Sequence, residues 1–451
     1  MKTKTIITIT CVLSSTIINA QILYSNGAQI TINNGGNIYC NGGVYLTQNS
    51  ILENEGELTI TKNSTLIQPG NFEFLSGTYI YGDGVYRVEQ DWINSSVFAT
   101  NSGFHAGSSE VILFGDTEQL ITSNNSTQTE FNNLTLTGNG NGVNARKTLS
   151  GVNAAVGSSG VLNLNNRELN TNIQDFIVYN PNANSVINST TFLSEGFVSS
   201  TQDGYLIRLT NNTESFIFPV GSSDGDRRYR PVKITPKSAT GHMMAVRMNN
   251  YSAENDGWSL NQHTENIGVV NQSFYHSIED LSGDMDSDLG LLFLPSEDSD
   301  WAGIGSWSLI SNQWGKPEIS NTDASGNYKL IEKVDWTINS DNISYALVDL
   351  EYTINIPEAI SPNDDGKNDA FFIEGLEFYP NTEVWIYNRW GVEVYHSDNY
   401  KNDWNGISES NLNIGNGELP EGTYYYILTL GGKEEQLGAG DVHKGFIYLT
   451  R

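Results

Sequence analysis

Short apolar pieces separated by Asn/Gly turns run along the first part of the chain. ITI (30–32), IYC (38–40), VYL (44–46), IL (51–52), LTI (58–60) and LI (66–67) recur, with NNGG, NGG and NEG among the turns between them. Three such pieces make a unit of roughly twenty residues, which suits one rung of a parallel β-helix. Alternate residues in each piece point to opposite faces, so one set turns inward. Asn and Gly supply the φ > 0 corners that a sharp solenoid turn needs. The pattern continues through Val111–Phe114, Leu134–Leu136 and Val161–Leu164. Asn132, Asn133, Asn165 and Asn166 are placed to stack as ladders at equivalent turns. The same alternation also fits an antiparallel sandwich of many hairpins.

From about Thr201 the strands lengthen: GYLIRL, SFIFPVG, YRPVKITP, HMMAVRMNN. Trp258, Trp301, Trp307, Trp314 and Trp336 appear at intervals, and the stretch 201–352 predicts an antiparallel β-sandwich. Arg227, Arg228 and Arg230 form a dense basic cluster, expected to pair with local carboxylates rather than bind phosphate. From 353 to 451 the pieces AFFIEGL, TEVWIYN, EVYHSD, GTYYYILTL and KGFIYLTR predict a small immunoglobulin-like sandwich. The fold class is therefore all-β: a parallel β-helix-like solenoid (21–200), a middle β-sandwich (201–352) and a C-terminal immunoglobulin-like β-sandwich (353–451).

Composition narrows the partners. Asp and Glu number 52 against 23 Lys and Arg, for a net charge of −29. Such a surface repels nucleic acid and anionic membranes, which demand basic patches. The N-terminus, MKTKTIITITCVLSSTIINAQ, has a basic start (Lys2, Lys4), an apolar stretch too short to span a bilayer, and Ala20 before Gln21. It reads as a secretory signal peptide (1–20) cleaved between Ala20 and Gln21, raising the charge to about −31. Of the two cysteines, Cys11 and Cys40, only Cys40 then remains, so no internal disulfide is expected.

No catalytic set stands out. The histidines, at 105, 242, 263, 276, 396 and 443, form no HExxH. GSSG (157–160) does not complete a GxSxG elbow. Abundant acids always permit a glycosidase pair, so their presence decides nothing. DMDSDLG (284–290) places Asp284, Asp286 and Asp288 at alternate positions, like the start of a calcium loop, but glycine comes one place late and Pro295 stands where a bidentate glutamate belongs. Calcium at Asp284, Asp286 and Asp288 is the one cofactor the sequence allows. No catalytic residue is assigned and an enzyme is not expected.

The C-terminal motifs are more specific. SPNDDGKNDAF (361–371), EGLEFYPNTEVWIYNRWGVEVY (374–395), WNG (404–406), LPEGTYYYIL (419–428) and KGFIYLTR (444–451) occur in this order. They resemble the gliding-motility-associated C-terminal domain family, the type B sorting domain of the type IX secretion system. The resemblance implies export across the outer membrane to the cell surface or medium, with the secretion machinery and an outer-membrane barrel as partners. Carried over position by position, the motif residues are Ser361, Pro362, Asn363, Asp365, Gly366, Asn368, Asp369, Asn388, Arg389, Trp390, Gly391, Trp404, Gly406, Gly422, Tyr424, Gly445 and Arg451. The family usually has glycine where this chain has Asp364, so Asp364 is expected at φ > 0. Read as residues alone, Asn363, Asp365, Asn368 and Asp369 suit Asx turns, and Trp390 and Trp404 are placed to close the ends of a small core. The expected role is adhesive or structural. The rival is a carbohydrate-binding or polysaccharide-degrading surface protein, with exposed Trp or Tyr in 201–352 or a site on the solenoid face.

Overall fold

The computed structural model describes residues 17–20, 22–63, 70–124, 127–189, 191–316, 321–350, 354–376, 379, 382–408, 417–431 and 442–451. They fall into two compact units, Met1–Leu350 and Glu351–Arg451, and the fold is all-β.

The first unit begins as a three-faced parallel solenoid of about 7 turns. One face runs from Ile17–Ala20 through Asn37–Asn41, Glu57–Thr61, Val85–Val88, Glu110–Leu113, Asn133–Leu136 and Leu162–Asn163 to Val186–Ile187. A second runs from Leu23–Asn26 through Val44–Thr47, Phe72–Phe74, Trp92–Asn94, Gln119–Ser123, Arg146–Ser150 and Glu168–Asn170 to Phe197–Ser199. The third opens with Gln29–Ile32, Ile51–Asn54, Tyr79–Tyr81 and Gly103–Phe104, then resumes in a separate sheet at Thr129–Phe131.

The alternation seen in the sequence is what builds this core. Ile38, Leu58, Tyr86, Val111, Leu134 and Leu162 stack in register down the first face, each at most 3% exposed. Val44, Phe72, Trp92, Ile121 and Leu149 do the same on the second. Rungs are longer than roughly twenty residues in places: Asn37 pairs with Glu57, but Glu57 pairs with Val85, 28 positions on. The asparagines do not stack as ladders. Asn165 donates to the Leu136 carbonyl (2.7 Å) and Asn133 accepts from the Val161 N–H (3.0 Å), so each ties its rung to a neighbour's backbone. The expected piece LI (66–67) lies outside the described residues.

The change of texture near Thr201 marks a change of strand direction inside one continuous sheet. Leu206–Thr210 pairs parallel with Phe176–Val178 on one side and antiparallel with His242–Asn249 on the other. That sheet continues through Tyr275–Asp280, Ser344–Leu350 and Gly303–Ser308. A five-stranded antiparallel sheet, with Val232–Pro236, Met285–Phe293 and Tyr328–Ile338 at its centre, completes a sandwich-like half. Solenoid and sandwich share a single apolar core, in which Leu206, Met244, Ile278, Leu291 and Leu347 join the stacked rungs. On the third face Leu206–Thr210 passes the ladder on to His242–Asn249, so that sheet edge is not left open.

The aromatic set of this half is mostly internal. Trp307, Trp314 and Trp336 are buried, and Trp258 and Trp301 are half-buried, so the tryptophans offer no exposed glycan platform. The arginines meet carboxylates: Arg230 reaches Asp298 (2.5 Å) and Glu297 (2.8 Å), Arg228 reaches Asp226 (3.5 Å), and Arg227 reaches Glu195 (3.9 Å). Most of the acidic repeat at 284–288 lies within the strand Met285–Phe293, whose alternate residues point outward. Asp288 pairs with Lys237 (2.6 Å) and Asp286 accepts from Thr337 (2.5 Å), while Asp284 is exposed ahead of the strand.

The second unit is a five-stranded sheet. Ala359–Ile360 pairs parallel with Val442–Leu449, which pairs antiparallel with Gly422–Thr429, then Glu383–Tyr387, then Glu393–Ser397. Its core holds Ile360, Phe371, Ile373, Val384, Ile386, Trp404, Tyr424, Leu428, Ile447 and Leu449. The piece AFFIEGL does not form a regular strand. Asn402 takes the neighbouring strand's place, accepting from the Ile373 N–H (2.9 Å) and donating to its carbonyl (3.1 Å).

Candidate export site

The loop after Ile360 is organised by one carboxylate. Asp369 accepts from the backbone N–H groups of Asn363 (3.0 Å), Asp364 (2.8 Å) and Gly366 (2.7 Å). Asn363 accepts from Asp365 N–H (3.1 Å) and Asp365 from Lys367 N–H (2.8 Å), two successive Asx turns. Ser361 N–H donates to the Asn368 carbonyl (2.8 Å), closing the loop beside Pro362. Asp364 stands at φ 62°, the left-handed value expected of it, and Asn368 is at φ 57°. Desolvation works against the Asp369 charge, but the backbone donors outweigh it and hold this carboxyl below the usual aspartate range. The Asp365 and Asp369 carboxylates thus both bond local backbone.

The second motif caps a hairpin. Asn388 accepts from the N–H groups of Trp390 and Val392 (both 3.0 Å), and Gly391 at φ 75° turns the chain back. Trp390 does not close the core as expected. It lies at the hairpin tip, 72% exposed, with the Arg389 guanidinium 4.2 Å from its ring centre. A turn position faces water on both sides, so no core is within its reach.

Of the remaining motif residues, Trp404 and Tyr424 point into the interior. Trp404 is buried and donates through Nε1 to the Ile407 carbonyl (3.0 Å), with its ring against Tyr424. Tyr424 donates back to the Pro420 carbonyl (2.8 Å), much as the tyrosine corner of immunoglobulin-like sandwiches does. Gly406, at φ 77°, leaves room for Leu449, whose Cδ1 would stand 2.9 Å from any Cβ there. Gly422 opens the strand Gly422–Thr429, and Gly445 lies opposite Tyr426 across the next strand pair. Arg451 donates to the carbonyls of Leu419 (3.3 Å) and Gly406 (3.4 Å), and its N–H reaches Glu421 (2.9 Å). Ala20, far upstream, ends the first solenoid strand opposite Cys40, and Gln21 lies outside the described residues.

Residues 354–449 match the CHU_C type IX secretion signal domain. The match covers the second unit and the ordered motifs that the sequence showed. A chain with this signal is exported by the type IX secretion system across the outer membrane, to the cell surface or the extracellular space. It engages that machinery. No curated protein and no solved structure matches the chain.

The export domain also carries features beyond the motif residues. Tyr425, Phe446 and Tyr448 are about half exposed on the outer face of the sheet, with Tyr425 paired to both Phe446 and Tyr387. Strict alternation in GTYYYILTL and KGFIYLTR was the available signal, because period 2 leaves every second aromatic outside. At the far edge, Glu383, His396 and Asp398 bring three ligand-type atoms within 4.8 Å of one another. The ring of His396 stacks on Trp385 and its Nε2 lies 2.9 Å from Glu383. His396 and Asp398 are near neighbours in sequence, and strand pairing brings Glu383 to them.

Proposed function

We propose that the chain is a non-enzymatic adhesive or structural protein of the cell surface, its first unit forming the exported body and its second the address. The carrying observation is the single core that runs without interruption from the solenoid rungs into the sandwich half. Eight stacked strands extend about 34 Å at the usual strand spacing, with apolar side chains such as Val44, Phe72 and Trp92 stacked inside. Such a body holds its form through local stacking rather than disulfides. The N-terminal segment acts in this reading as a signal peptide cut after Ala20, which leaves Asn37–Asn41 as the outer strand of its face. An outer-membrane barrel that receives the export domain fits the exposed aromatic face of its sheet.

The test is attachment of cells to a solid or polysaccharide surface. A strain lacking the chain is expected to attach several-fold less than its parent and to recover when the chain is restored. Equal attachment would overturn the adhesive role.

A further inference from the structure

The two ladders that stay whole make the break in the third one informative. Val85–Val88 pairs with Glu110–Leu113, and Trp92–Asn94 with Gln119–Ser123, so the fourth and fifth rungs are joined on two faces. On the third face Gly103–Phe104 ends one sheet and Thr129–Phe131 begins another. A cavity of about 490 Å³ occupies that break, within the range of about 300–1,000 Å³ typical of small-ligand sites.

Its floor and walls differ in character. Phe104 and Phe131, both buried, face each other below with ring centres 6.0 Å apart. At the rim the Phe98 ring, 54% exposed, stacks on His105 at 4.3 Å and 24°. The Nε2 of His105 is fixed by the carbonyls of Ala99 (2.9 Å) and Ser102 (3.1 Å), so the platform is held in place. Gln128, Glu130 and Asn132 supply amide and carboxylate groups, and among the described residues no Lys or Arg lines the space. A cavity with a carboxylate and no fixed cation, in a chain of net charge −29, disfavours anionic ligands. An aromatic face beside several hydrogen-bonding side chains suits a ring with apolar C–H faces and hydroxyl edges.

We propose that this break in the third face is a binding cleft for a short segment of neutral glycan, stacked on Phe98–His105 and hydrogen-bonded by Gln128, Glu130 and Asn132. The proposal rests on the adhesive reading above and gives that adhesion its ligand. Isothermal titration of the purified full chain with cellotetraose, laminaritetraose, xylotetraose and mannotetraose, and with tetragalacturonate as the anionic comparison, tests it. At least one neutral tetraose is expected to bind. Phe98→Ala and Glu130→Gln are each expected to weaken that binding tenfold or more, with the thermal midpoint unchanged. No binding by any neutral tetraose, tighter binding of tetragalacturonate, or binding unaffected by both substitutions would overturn the cleft. The two readings separate cleanly. Lost attachment in the strain lacking the chain, with no sugar bound in vitro, sinks the cleft alone. Sugar binding with normal attachment sinks the adhesive role alone.

Discussion

The ring of Tyr426 lies across Gly445, its partner on the adjacent strand: a Cβ built on Gly445 would stand 2.5 Å from the Tyr426 hydroxyl. The glycine of KGFIYLTR is therefore a matter of space. Gly445→Ala must push a largely buried ring aside, and overpacking of this kind costs about 1–3 kcal/mol. Urea unfolding of the chain should show this loss in the transition of the export domain. Gly445→Ala with Tyr426→Leu should recover most of it. An unchanged transition in the single variant would contradict the packing described.

Asp369 holds the opening loop through three N–H donors, and its carboxyl titrates below the ordinary aspartate value of 3.8. The sign follows directly. The depressed group stabilises the fold above the unfolded value, and that contribution is lost as pH falls through the folded one. Asp369→Ala should increase amide exchange at Asn363, Asp364 and Gly366 at pH 7, while the parent chain shows the same rise only in acid. Asp364→Gly, which removes a side chain from a left-handed position, should leave those amides protected and the domain as stable or more so. Equal exchange in the parent and Asp369→Ala at pH 7 would refute the carboxylate's role.

Trp390 is exposed at its hairpin tip, and a surface position of this kind usually changes stability by less than about 0.5 kcal/mol. Trp390→Ala should therefore leave the unfolding curve in place and still reduce the amount of chain outside the cell. Normal export of the variant would remove the tip from the machinery's contacts.

His276 is wholly buried, donates through Nε2 to the Arg230 carbonyl (2.8 Å), and is pushed by burial down to about 4. The unfolded chain takes up a proton near 6.5 that the folded chain refuses until about 4. Stability therefore falls as pH drops through that window, by about 3 kcal/mol. His276→Gln keeps a donor and removes the titration. The gap in unfolding free energy between parent and variant should change by about that amount between pH 7 and pH 4. A constant gap would show that His276 charges freely in the fold.

How far the sequence could be read depended on the range of the pairing. Stacked positions such as Ile38 and Leu58 announced themselves because each rung repeats a local alternation bounded by Asn/Gly corners. The export motifs were legible for a similar reason: Asn388, Gly391 and Asp369 act on neighbours a few residues away. Long-range events were not. Nothing local says that Leu206–Thr210 takes a parallel neighbour on one side and an antiparallel one on the other, or that the third face parts between Phe104 and Thr129. Asp286 and Asp288 fitted both a metal loop and a strand in the sequence, because period 2 is also the signature of a strand, and the structure places them on one. Trp390 was read as core because aromatic identity says nothing of a turn's exposure.

The central claim is that residues 354–451 are the export address of the chain. Removing them and fractionating cells tests it most directly. The truncated chain should accumulate in the periplasm while the full chain reaches the cell surface or medium. Delivery of the truncated chain outside the outer membrane at the full chain's level would contradict the account.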